Sequence, residues 1–229
     1  MLILSLDSTA IAASVALCRD EEPLATFTVK NGNTHSQTLL PMVESVLQSA
    51  KATVDDIDIF ACSVGPGSFT GVRIGVSTVK GLAFGREKPC VAVSTLEALA
   101  QNLVPFEGIL CPVMNARRSQ VYNALFEHRN GELHRLTPDR AISITELESE
   151  LATRGVPFAL CGDGVAVTKA GFQFLQATEV SPYLEDQNAV SVARCAWRAY
   201  LRGETVSDAT LSPVYLRLPQ AERERLAKI

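Results

Sequence analysis

Three short stretches of this 229-residue chain combine residue types and spacings that could do chemistry. The sharpest is Gly65-Pro66-Gly67-Ser68-Phe69-Thr70-Gly71, which leaves an apolar strand-like run and enters a helical one. Glycines this dense permit positive φ and close backbone approach, and the start of a helix offers unpaired N–H groups to an anion. The stretch lacks the GK[ST] ending of a P-loop and the glycine spacing of GxGxxG. It therefore reads either as a tight structural turn or as a ligand loop. The second stretch is Asp7-Ser8-Thr9, at the end of the first strand, where Asp7 either orients a hydrated metal ion or caps the turn. Asp7, Ser8, Thr9, Gly65 and Gly67 make up the candidate cofactor-binding set. The third is Gly162-Asp163-Gly164, a second glycine loop.

Other chemistries lack their residues. The histidines His35, His128 and His134 never occur at i, i+4 spacing, and there is neither HExxH nor GxSxG, so no peptidase site is expected. The six cysteines stand apart with no CxxC pair, which suits reduced thiols packed as small hydrophobes. His35 reads as a helix cap or surface residue, and Asp55-Asp56 as solvated capping acids at a turn. A net charge of -4 and a pI near 5.5 argue against a protein that holds nucleic acid by itself. The sign-alternating run Glu222 to Arg225 fits a solvated tail. The apolar start has no basic n-region and is broken by Asp7, and no stretch reaches the roughly 18 apolar residues of a membrane helix. A cytoplasmic protein without membrane contact is the expectation.

The elements that must position these residues follow from periodicity. Leu2–Asp7, Ala12–Arg19 and Leu24–Lys30 read as three strands of a meander. Leu39, Met42, Val43, Val46, Leu47 and Ala50 form a helical stripe, with Pro41 near its start. A strand at 59–64, the glycine loop, a helix over 70–84, a strand at 89–93 and a helix over 95–102 complete βββαβαβα. That order predicts an α/β fold with a mixed sheet. The 70–84 helix carries only Arg73 and Lys80 as charges, so it should be covered on two sides. Gly71, Gly75 and Thr78 offer a small-residue ridge on which another helix could lie. Strand candidates follow at 109–114, 121–128, 133–136 and 156–161, with helices at 145–153 and 188–202 and an unassigned segment at 168–180. Pro105 and Gly108 punctuate the chain between two expected lobes, 1–104 and 105–229, with a helix of the second free to pack back on the first.

Leu4-Ser5-Leu6-Asp7-Ser8-Thr9, His35-Ser36-Gln37 through Leu39-Leu40-Pro41-Met42, the run from Gly65 to Gly75, and Pro213-Val214-Tyr215-Leu216-Arg217 together resemble the TsaB (YeaZ) family. The resemblance is specific over residues 1 to about 100 and weaker beyond. It implies two ribonuclease-H-like lobes of the actin/sugar-kinase type, the second reduced. In the catalytic paralogue TsaD a comparable glycine loop and helix precede an Asn-His-Leu-Glu-x-His stretch that ligates a metal. The corresponding run here is Ser94-Thr95-Leu96-Glu97-Ala98-Leu99, which puts Thr95 and Leu99 at the ligand positions, and leucine has no donor.

The resemblance thus implies a non-catalytic scaffold of the tRNA threonylcarbamoyladenosine assembly. Such a scaffold would bind a TsaD-type transferase, with a TsaE-type ATPase also present and tRNA reached through the complex. The chain alone would hold no firm cofactor, although ATP or ADP could sit in the assembled complex. The expected partner face is Leu39, Met42, Val43, Val46 and Leu47 on the first helix with Gly71, Val72, Gly75, Val76 and Val79 on the second. The isolated chain should form a homodimer through the same face. The competing reading is a small-molecule kinase or ATPase of the same superfamily.

Overall fold

The computed structural model describes residues 1–104 and 106–217. Pro105 and the charge run Glu222 to Arg225 lie outside them. The first half is built on a five-stranded sheet of order β3-β2-β1-β4-β5. Its strands are β1 (Leu2–Asp7), β2 (Ala13–Arg19), β3 (Glu22–Val29), β4 (Ile59–Gly65) and β5 (Cys90–Ser94). β1, β2 and β3 pair antiparallel, whereas β1–β4 and β4–β5 are parallel, as the βββαβα order requires.

Helices cover both faces of this sheet. On one face lie α1 (His35–Ser49) and α2 (Phe69–Ala83), whose Leu39, Val43, Val46, Val72, Val76 and Val79 pack on Leu4, Leu6, Val15, Phe60 and Cys62. On the other lie α3 (Thr95–Asn102) and, from far along the chain, α6 (Ala189–Leu201). Ala189, Val192, Ala193 and Ala196 of α6 meet Ile3, Ala16, Ile59, Val91 and Val93. Its start is pinned by Ser5 Oγ donating to the Ala189 carbonyl at 2.7 Å and Ala189 N donating to Ser14 Oγ at 3.0 Å.

The second sheet centres on β6 (Ile109–Asn115), which pairs antiparallel with β7 (Gln120–Asn123) and β8 (Phe126–Arg129) and parallel with β11 (Phe158–Cys161). β9 (Glu132–Arg135) and β10 (Arg140–Ser143) extend it, and α4 (Ile144–Arg154) and α5 (Val165–Gly171) accompany it. The strand expected over 121–128 is broken in two. Leu125 leaves the ladder, its N–H donating to Thr137 Oγ1 and its carbonyl accepting from Leu136 N. β10 and α5, which the sequence pattern did not reveal, are short and carry no apolar repeat.

All six cysteines are buried and unpaired. Burial pushes their thiols up, Cys18 and Cys90 to about 11 and Cys111 to about 12. No helix of the described residues is long and apolar enough to cross a membrane.

Candidate functional site

β1 delivers Asp7, Ser8 and Thr9 into a turn in which none is more than 1% exposed. Asp7 Oδ1 accepts from Thr9 N at 2.9 Å and Thr9 Oγ1 at 2.7 Å, and Oδ2 accepts from Ser63 Oγ of β4 at 2.5 Å. Burial pushes the Asp7 carboxyl above the ordinary aspartate range, with the Ser63 and Thr9 hydrogen bonds opposing. Both oxygens are thus engaged within the protein, and Asp7 caps the turn. His35, expected as a cap or surface residue, instead ties α1 to this hairpin, its Nε2 lying 2.7 Å from the Ala10 carbonyl. Asp55 and Asp56 sit at a turn as expected: Asp56 Oδ2 accepts from Thr53 N and Oγ1, and Asp55 pairs with Arg86 at 2.9 Å.

The glycine loop and α2 are shaped to receive that hairpin. Ser8 Oγ donates to the Gly71 carbonyl at 2.9 Å, and Ser68 N donates to the Thr9 carbonyl at 2.7 Å. A Cβ on Gly71 would run into the Ser8 carbonyl oxygen. One on Gly75 would lie 2.7 Å from Ser8 Oγ, and one on Gly67 2.6 Å from the Thr9 carbonyl oxygen. The glycines of the expected helix-docking ridge are therefore occupied by the chain's own hairpin. Gly65, at φ +126°, is closed from above by the Val214 carbonyl. Ser8 and Gly65 are thus enclosed by the chain and both Asp7 oxygens are engaged by Thr9 and Ser63, whereas Thr9 and Gly67 line the open concavity between the lobes. Gly162-Asp163-Gly164 is used similarly. Gly162 and Gly164 press on Val113, and Asp163 Oδ1 accepts from Asn115 N at 3.0 Å.

A C-terminal strap closes this arrangement. Lys80 Nζ donates to the Ala209 and Leu211 carbonyls, and Val214 N donates to the Val64 carbonyl at 2.8 Å. Tyr215 packs on Phe69 with ring centroids 4.9 Å apart, and its hydroxyl accepts from Arg73 Nε at 2.8 Å. Arg217 then reaches the second lobe, donating to the Ala116 carbonyl and to Gln120. The spacing of Pro213 to Arg217 holds no hint of the loop it crosses, and this role escaped the sequence reading.

The face expected to meet a partner is corrected by burial. Leu39, Met42, Val43, Val46, Leu47, Gly71, Val72, Gly75, Val76 and Val79 are all buried, because the helical stripe that looked free is the stripe that covers the chain's own sheet. The outward side of the same helices carries Leu40 (51% exposed), Ser36, Arg73 and Ser77, with Ile74 and Thr78 half-buried. Between the helices runs an open groove of about 440 Å³. A second concavity of about 560 Å³ lies between the lobes, lined among others by Thr9, Ile11, Phe69, Asn115, Arg117, Tyr122 and Asp163. Thr95 and Leu99 are both buried, and Leu99 packs among Leu96, Leu103, Leu110 and Met114.

The sandwiched first sheet, the helix-covered second sheet and the hairpin that meets a glycine loop define the actin and sugar-kinase class of fold. Component A of (R)-2-hydroxyglutaryl-CoA dehydratase from Acidaminococcus fermentans shares it at TM-score 0.50, with 12% identity over 88% of this chain and 99% of that one. A family model described as TsaD, tRNA N6-adenosine threonylcarbamoyltransferase, matches residues 30–224. The tRNA threonylcarbamoyladenosine biosynthesis protein TsaB of Bacillus subtilis (strain 168) is 31% identical over 222 residues, 97% of this chain and 96% of that protein. A Pseudomonas aeruginosa structure, titled an uncharacterized protein with similarity to peptidase YEAZ, superposes at TM-score 0.83. It is 30% identical over 94% of this chain and 99% of that one. The chain belongs to the TsaD family and, within it, to the TsaB (YeaZ) branch.

Proposed function

We propose that this chain is the non-catalytic subunit of the cytoplasmic assembly that builds threonylcarbamoyladenosine on tRNA, and that it works by holding a TsaD-type transferase. One observation carries the reading. Asp7, the one acid of the hairpin, has both carboxylate oxygens taken by Thr9 and Ser63, while the outward side of α1 and α2 stays open and partly apolar. The names of the relatives favour this over a small-molecule kinase or ATPase.

In this reading the transferase docks two of its own helices on the outward face of α1 and α2, around Leu40 and Ile74. It then moves threonylcarbamoyl from its adenylate to the adenosine beside the anticodon. A TsaE-type ATPase completes the assembly, and any ATP or ADP is held by the complex rather than by this chain's hairpin. Without its partner the chain pairs with a second copy of itself.

The test is capture of the tagged chain from its native host, with wild type compared against Leu40→Asp/Ile74→Asp. Wild type should bring down a near-stoichiometric TsaD-type protein, and the variant, still folded by circular dichroism, at least tenfold less. Equal capture by both would remove the assigned face. No capture by either, together with unaltered threonylcarbamoyladenosine in tRNA after depletion of the chain, would remove the function.

A further inference from the structure

We propose that Arg117, Arg118 and Arg217 form an RNA-phosphate-binding rim at the mouth of the inter-lobe cleft, so that this chain touches the nucleic acid itself. The proposal rests on the reading that its assembly acts on tRNA.

The first observation is charge without a partner. Elsewhere most arginines pair with a carboxylate, Arg86 with Asp55, Arg135 with Glu97, Arg140 and Arg154 with Glu150, and Arg198 with Glu21, and the unpaired Arg19 and Arg194 lie away from the cleft lining. At the rim, no carboxylate of the described residues lies within ion-pair distance of any of the three. Arg217 reaches only the Ala116 carbonyl and the Gln120 side chain among the described residues. Arg117 and Arg118 are exposed. In a chain of net charge -4, unpaired guanidinium groups at one place mark a local positive surface that the total conceals. Among the described residues, the only carboxylate lining the cleft is Asp163, which burial pushes above the ordinary aspartate range.

The second observation is what lies between the arginines. The Arg73 guanidinium sits 3.9 Å over the Phe69 ring, Phe69 packs on Tyr215, and Arg217 lies 5.7 Å over Tyr122. Phe69, Tyr122 and Arg117 line the same cleft of about 560 Å³. Alternating guanidinium and aromatic groups beside a cleft this size suit a looped single strand: phosphates meet the arginines while an unstacked base lies against a ring. An acidic protein surface would satisfy the charges but has no comparable use for the rings and the cleft.

The third observation is that the rim is held in place. Arg117, Arg118 and Ser119 all have positive φ (62°, 55° and 55°), a region that L residues leave unless they are retained. Ala116 N donates to the Gln120 carbonyl and Gln120 N to the Arg117 carbonyl, while Arg217 of the strap holds the turn from outside. The guanidinium groups are thus presented from a fixed turn.

The test uses the full chain assembled with its TsaD-type partner and a fluorescent anticodon stem-loop RNA for a codon beginning with A, read by anisotropy across a salt series. Arg117→Glu/Arg118→Glu should bind at least tenfold more weakly. The slope of log affinity against log salt should fall by about 1.4, from roughly 0.7 per single-strand phosphate contact over two contacts. Arg19→Glu, at the opposite end of β2 from the hairpin, should bind as wild type. Arg118→Glu alone, a milder change, should give an intermediate loss, and all variants should melt with wild type. RNA affinity unchanged in the double variant would overturn the rim, as would a loss of partner capture with RNA affinity intact, which would make it a protein contact. If the two proteins do not assemble, the functional reading fails first; RNA binding by the chain alone, lost in the double variant, would still uphold the rim, and its absence would end it.

Discussion

At Gly71 the obstacle to a side chain is a backbone atom. The Ser8 carbonyl occupies the space a Cβ would need, and the hairpin cannot retreat without losing the Ser68 N to Thr9 carbonyl and Ser8 Oγ to Gly71 carbonyl hydrogen bonds. Gly71→Ala should therefore cost about 3 kcal/mol, at the upper end of overpacking effects. Gly75→Ala meets only the Ser8 hydroxyl, which can rotate, and should cost about 1 kcal/mol. Urea unfolding of the two variants checks the order, and equal losses would mean that the hairpin is not rigidly seated. A charged residue gives the second case. Glu148 Oε1 accepts three backbone N–H groups, from Gln173, Phe174 and Leu175, at 2.8 to 2.9 Å. Burial alone would push its carboxyl up, but the three donors outweigh it and hold the carboxyl below the ordinary glutamate range. Its contribution to stability is full above the unfolded-state value of about 4.3 and is lost as pH falls through the lower folded-state value. Between pH 6 and pH 3, wild type should lose more urea resistance than Glu148→Gln, and parallel loss would assign acid sensitivity elsewhere. The residue types at both sites were readable in sequence. What they touch was not, since Ser8 and Gly71, or Glu148 and Phe174, meet only through the fold.

Between residues and molecule, elements were legible where a long repeat specified them. The α1 stripe, the βββαβαβα order and the 188–202 helix all appear with ends shifted by a few residues. α1 opens at His35, and its polar, largely exposed first turn adds nothing to the apolar stripe that begins at Leu39. The same periodicity misled about the partner face: an apolar stripe says that something covers it, and here the cover is β1, β2 and β4 rather than another protein. The strap shows the limit from the other side, since an irregular segment has no period to read. Its Tyr215 should contribute through the Phe69 ring and the Arg73 hydrogen bond, and Tyr215→Ala is expected to lower stability by about 1–2 kcal/mol. Protease nicking should then appear first in the strap, and a variant cut no faster than wild type would mean that Val214 and Arg217 hold the segment without it. α6 makes a stronger demand, because it covers Ile3, Ile59, Val91 and Val93 of the first sheet from more than eighty residues away. Residues 1–104 expressed alone should therefore bind hydrophobic dyes and lack near-ultraviolet circular dichroism. A sharply melting fragment would show that α6 is dispensable to that sheet.

For the whole molecule, the proposed function puts two partners in competition for one surface. The outward side of α1 and α2 has an exposed Leu40 and a groove beside it, and a second copy of the chain presents the same groove about a two-fold axis. A face that serves both self-pairing and a transferase cannot do both at once, so adding the transferase should dissolve the homodimer into a one-to-one complex rather than build a larger chain-to-chain assembly. Light scattering on a size-exclusion column distinguishes these. The isolated chain should run near 49 kDa, about twice its 24.7 kDa, and Leu40→Asp/Ile74→Asp near the monomer mass. Partner titration should convert the wild-type dimer without an intermediate that contains two copies of the chain. If the Leu40→Asp/Ile74→Asp chain stays dimeric yet no longer captures the transferase, the two interactions use different faces. The strap side, where Val214 (49%) and Tyr215 (39%) are exposed beside Arg73, would then be the next surface to alter.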